Sequence, residues 1–166
     1  LVALETAARA PERATRLAML GTACPMAVPE ELLELGKSDP LAAIDRVVMY
    51  SFSTLAAKPS YPGPGVWLRG TARALMRQVL AHGRDPLLFH TDFAACDSYT
   101  HGLQAAEQLR CPAHLVLAQF DRMTPTKTAQ ALASAAKASV QTLPAGHLLM
   151  QECPDGALQA LRKAFA

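Results

Sequence analysis

Residues 114–150, HLVLAQFDRMTPTKTAQALASAAKASVQTLPAGHLLM, constrain the fold more than any other part of the sequence. A short apolar run, 115–120, ends at an acid, Asp121. A helix-like stretch follows over 125–137, with Thr124 placed to cap it. A second short strand-like run, 140–143, bounded by Val140 and Leu143, leads into Gly146-His147. Short apolar runs bounded by turn residues predict buried strands. A helix between two such strands predicts parallel pairing and a right-handed crossover. The 26 residues from Asp121 to His147 leave room for that helix and strand. Each polar residue then stands just past the C-terminal end of its own strand, the edge where open α/β sheets place their sites.

The amino-terminal stretch repeats the pattern. Residues 1–10 follow helical rhythm, with Ala3, Ala7 and Ala8 as a small-residue face, and Pro11 stops the helix. Residues 15–22, TRLAMLGT, read as a buried strand that leaves at Gly21. No N-cap residue precedes the first helix, and the reading is of the C-terminal part of a longer protein. Between 24 and 111 no strand is predicted, and the span is too long for a bare loop. It reads as helices over 29–35, 40–53, 66–80, 86–95 and 97–109, with a proline-glycine joint at 58–65. On 66–80, Leu68, Ala72, Leu75, Met76, Val79 and Leu80 form one apolar face, and Arg69, Arg73 and Arg77 a solvated row opposite it. The chain ends in a helix opened by Pro154. The expected organisation is a core piece at 1–23, a helical lid at 24–111, and a strand-helix-strand-helix core piece at 112–166.

Composition removes several alternatives. Of the 166 residues, 51% are hydrophobic, enough for a packed core and too many for a disordered chain. The net charge is only +2 with no lysine-arginine block, which argues against nucleic acid as the partner. No apolar run reaches the roughly 20 residues of a membrane span. Cys24, Cys96, Cys111 and Cys153 are scattered without a CxxC pair, which suits buried thiols in the cytoplasm. His82, His90, His101 and His114 lack metal-ligand spacing, so neither a metal nor a cofactor is expected.

An acid and then a histidine, each after its own strand, resemble the last two members of the Ser…Asp…His triad of α/β-hydrolases. LVALETAARAPERATRLAMLGTA is similar to that family's segment just after the nucleophile elbow. HLVLAQFDRMTP is similar to its strand-to-acid turn, and PAGHLLMQECP to its histidine loop. The resemblance covers both ends of the chain, about half of it. It implies an α/β fold: the C-terminal part of an α/β-hydrolase sheet, with about three parallel strands, flanking helices and a helical lid. No G-x-S-x-G occurs, and none of the serines has a strand–turn–helix context. The resemblance places the nucleophile and the oxyanion-hole loop upstream of Leu1, in an N-terminal half of the same protein.

By that resemblance His147 is the general base and Asp121 holds its tautomer. The bland readings are a loop histidine bonded to backbone and an acid capping the helix near Pro125. The lid's apolar residues imply a small apolar or aromatic substrate, with Met26, Trp67, Phe93 and Tyr99 as pocket candidates. The expected activity is hydrolysis of an ester or similar small carbonyl compound. Within the fold the alternatives are a C–C bond hydrolase, a haloperoxidase or an epoxide hydrolase. Outside catalysis the alternative is a hydrolase-like protein that only binds a small ligand. A homodimer is an open option.

Overall fold

A computed structural model describes residues 1–166. One sheet carries three strands, β1 (Leu17–Leu20), β2 (Ala113–Ala118) and β3 (Ser139–Leu143), in the order β1-β2-β3. Both pairings are parallel, with Leu17 opposite Ala113 and Ala118 opposite Leu143. In chain order the helices are α1 (Val2–Arg9), α2 (Glu30–Ser38), α3 (Pro40–Ser51), α4 (Leu68–His82), α5 (Leu88–Ser98), α6 (Gly102–Glu107), α7 (Thr126–Ala135), α8 (Leu149–Glu152) and α9 (Pro154–Phe165).

β2 is central and buried on both faces. Leu115 and Leu117 join Leu17 and Met19 on one face, where α1, α6 and α7 add Leu4, Ala7, Ala105 and Leu132. Val116 and Ala118 join Leu143 on the other, under Leu149, Ala157 and Ala160 of α8 and α9. Side chains alternate along a strand, and here both sets are covered. That is why residues 115–118 read as an unbroken apolar run and not as an alternation. Between β1 and β2 the chain forms no strand. Its helices build their own core, with Ile44, Val48, Phe52, Ala56 and Ala72 in one cluster and Leu32, Ala43 and Val47 in another.

Several sequence expectations need correction. β2 stops at Ala118, so Gln119 and Phe120 belong to the exit loop, and Phe120 is exposed. α2 does not stop at Gly36 but runs through it; Gly36 is buried, and the backbone of His90 on α5 lies 3.4 Å from where a Cβ would stand. On α1 the buried face is Leu4 and Ala7, while Ala3 points outward. Thr124 is not the cap of α7: Pro125 occupies that position without a side-chain bond, and the Thr124 hydroxyl turns inward. The arginine row on α4 faces α3 and not solvent alone. Arg73 and Arg77 reach Asp45 at 2.8 and 3.4 Å, and Arg69 donates to the Met49 carbonyl at 3.0 Å. The helix therefore packs through Leu68, Ala72, Met76 and Leu80, leaving Leu75 and Val79 exposed. Long arginine stems cover apolar surface while their heads find partners, so charge periodicity alone misassigned that face.

No helix is long and apolar enough to cross a membrane.

Candidate active site

The site lies where β2 and β3 end. Past the strands, the Gln119 amide donates to the Leu143 carbonyl and the Phe120 amide to the Ala145 carbonyl, both at 2.9 Å. The two exit loops thus stay paired and bring Asp121 and His147 together. His147 Nδ1 lies 2.9 Å from Asp121 Oδ2. An ionised carboxylate only accepts, so the ring must donate Nδ1–H to it. In the neutral imidazole that leaves Nε2 as an unprotonated base. The Asp121 side chain is fully buried and that of His147 is 28% exposed.

The carboxylate is held at both oxygens. Oδ1 accepts the amides of Met123 and Thr124, each at 2.8 Å. Oδ2 meets His147 and, at 2.9 Å, the Thr124 hydroxyl. The turn-closing role and the imidazole-orienting role therefore fall on one residue. Burial pushes the Asp121 carboxyl upward. The hydrogen bond and charge of His147, with the Thr124 amide and hydroxyl, outweigh burial and hold it below the ordinary carboxylate value.

Two glycines shape the surroundings. Gly21, leaving β1, has φ +57°, the left-handed region that favours glycine, and its carbonyl accepts from Thr124 at 2.8 Å. Gly146 precedes the histidine against the end of α3; a Cβ there would lie 2.6 Å from Ser53 N and 2.8 Å from Phe52 C. Close backbone approach, not torsion, demands that glycine. The Leu148 amide donates to the Ser51 carbonyl at 3.1 Å and the Ser53 amide to Glu152 Oε1 at 3.1 Å. The histidine loop is thereby tied to the helical insertion.

His147 opens onto a cavity of about 790 Å³. Its apolar walls include Met26, Leu32, Met49, Tyr50, Met76 and Phe93, with Arg46 and Arg122 among the polar members. Met26 and Phe93 thus share a cavity with His147. Trp67 and Tyr99 do not. Trp67 covers Gly70 at the start of α4, and the Tyr99 hydroxyl donates to Glu5 on α1. Burial first, and then the hydrogen bond to Glu5, push the Tyr99 phenol well above its ordinary value. Sequence reasoning missed Thr124 as a site member and Arg122 as a wall residue. Arg122 lies against the Tyr50 ring at 4.6 Å and donates to the Met49 carbonyl at 3.1 Å. The signal for both was their position, one and three residues past the acid.

No protein-family model and no curated protein matches the sequence. Solved structures do match the fold. The enol-lactonase from Burkholderia xenovorans LB400 is similar with a TM-score of 0.80 at 20% identity, over 99% of this chain and 61% of that one. A thermophilic esterase is similar at 0.76 and 24%, over 98% and 60%. The 2-hydroxy-6-oxo-6-phenylhexa-2,4-dienoate hydrolase of Rhodococcus sp. strain RHA1 is similar at 0.69 and 20%, over 99% and 59%. The chain has the α/β-hydrolase fold and spans about 60% of the length of these structures, the C-terminal part.

Proposed function

We propose that this chain carries the acid and the base of a serine-type α/β-hydrolase acting on an ester or similar small carbonyl compound. One observation carries the reading: the 2.9 Å contact of His147 Nδ1 with the buried Asp121, at adjacent strand ends, beneath a mostly apolar cavity. A cavity of about 790 Å³ falls within the usual range for small-ligand pockets. The helical insertion acts as the lid that walls it.

In this reading the nucleophile and oxyanion donors come from the part of the fold outside these residues, the amino-terminal half. His147 Nε2 takes the nucleophile's proton as it attacks the carbonyl and returns it to the leaving group. Asp121 keeps Nδ1–H in place and stabilises the imidazolium formed in between. A cytoplasmic setting suits the four free thiols. The neighbours in fold include a lactonase, an esterase and a hydrolase of a phenyl-substituted dienoate, which is the range of carbonyl chemistry such a pair can serve.

The test is hydrolysis of a nitrophenyl ester by the product of the open reading frame encoding this chain, against the 166 residues alone. A product that also carries the amino-terminal part of the fold is expected to turn over and to lose about 10⁴-fold or more with His147→Ala or Asp121→Asn. The 166 residues alone are expected to be inactive. Retained activity in His147→Ala would overturn the assignment.

A further inference from the structure

The cavity beside His147 is apolar over most of its wall, and its permanently charged lining residues are Glu31, Arg46 and Arg122. Glu31 and Arg46 pair with each other at 3.3 Å. Arg122 is left as the one charge on the wall without an opposite. Its neighbour in sequence cannot supply one. Asp121 Oδ1 accepts the Met123 and Thr124 amides, and Oδ2 accepts from His147 and the Thr124 hydroxyl. Arg122 is nevertheless held. It donates one N–H to the Met49 carbonyl at 3.1 Å, and its guanidinium carbon lies 4.6 Å from the centre of the Tyr50 ring. Both anchors come from the last turn of α3, and both residues line the same cavity. A guanidinium has five N–H donors in a planar fork. Stacking on an aromatic face fixes that plane without using a donor.

We propose that Arg122 is a specificity-determining residue that selects substrates carrying a carboxylate on their apolar body. This rests on the reading of the cavity as the substrate pocket of a hydrolase. The Met49 carbonyl is a neutral acceptor and Tyr50 offers a ring face, so neither neutralises the charge. A carboxylate accepts two parallel N–H bonds from the fork, and charge-assisted bonds of that kind are roughly twice as strong as neutral ones. Arg122 is exposed, so an incoming anion reaches it without displacing another side chain. A neutral substrate covers the same apolar wall but leaves the fork to water. Arg122 stands on the turn that carries Asp121, so a carboxylate seated on it lies in the same cavity as the imidazole.

The test is binding and turnover by a product that also carries the amino-terminal part of the fold. Binding is read by calorimetry in a His147→Ala background, with phenylbutyrate against its neutral amide. The carboxylate is expected to bind about tenfold more tightly. Arg122→Gln should remove that preference, and Arg122→Lys, which keeps the charge and loses the fork, should retain part of it. Equal binding of acid and amide, or a preference that survives Arg122→Gln, overturns the proposal. A preference abolished by Arg46→Gln and kept in Arg122→Gln overturns it too, by placing the anion on the other arginine. Turnover is read, with His147 in place, as kcat/KM for the nitrophenyl half ester of suberic acid against the same ester with its free carboxyl methylated. The ratio should favour the acid about tenfold and fall to near unity in Arg122→Gln, chiefly through KM. A binding preference that follows Arg122, with neither ester hydrolysed, would leave the anion site standing and remove the hydrolase reading. Hydrolysis that is lost in His147→Ala but blind to the carboxylate would do the reverse.

Discussion

At the scale of residues, Asp121 couples chemistry to stability. Its carboxyl sits below the ordinary value because the His147 bond and the Thr124 amide and hydroxyl outweigh burial. A depressed acid adds stability that is fully present above the unfolded carboxylate pKa, about 3.9. That contribution is lost as pH falls through the lower, folded value. Urea unfolding between pH 7 and pH 2.5 should therefore show a loss of midpoint below about pH 4 that is smaller in Asp121→Asn, which has no such proton to take up. An identical acid slope in both would mean the carboxylate is no better solvated in the fold than in water. The motif was legible as residue types in order, acid and then Gly-His. Thr124 was legible only as a cap, because no pattern in one dimension says which way a hydroxyl beside a proline turns.

At the scale of elements, the histidine loop is built by contact with the end of α3. Gly146 has no room for a side chain, since Ser53 N and Phe52 C stand 2.6 and 2.8 Å from a Cβ position. Both atoms are backbone and cannot rotate aside. Gly146→Ala should cost about 1–3 kcal/mol through overpacking and should displace the loop, weakening the 3.1 Å bond from Leu148 to Ser51. Chemical denaturation gives the first quantity, and hydrogen exchange at the Leu148 amide the second. A stable variant with a protected Leu148 amide would show that the insertion can yield. Element types were readable from period and punctuation: the three strands and the crossover helix α7. The face of α4 was not, because arginines 69, 73 and 77 could face either solvent or Asp45 and Met49, and only packing decides.

At the scale of the whole molecule, the sheet has two outer strands, and β1 is one of them. Alternate backbone groups of β1 turn away from β2, and such an unpaired row is a template for another strand. We expect the 166-residue chain to self-associate through that edge, with a light-scattering mass that rises with concentration. A monomer over the micromolar to millimolar range would show the edge to be covered by its own chain. Val140 on β3 is also exposed, so cross-linking confined to β3 would move the contact to the other side.

Sequence by itself determined the layers. A doubly buried strand must be apolar throughout, a helix between two parallel strands must cross on one side, and an acid and a histidine after such strands must emerge at the same sheet edge. Those are consequences of backbone geometry and of the cost of burying polar groups, and both are written in residue order. The tertiary structure alone decided which side chains complete the site. Trp67 and Tyr99 are as large as Met26 and Phe93, yet only the latter two reach the cavity beside His147. Gly21 and Thr124 meet across 103 residues. Distances of that kind depend on how helices of the insertion pack against loops of the core, and packing is a relation between surfaces that no single stretch of chain contains.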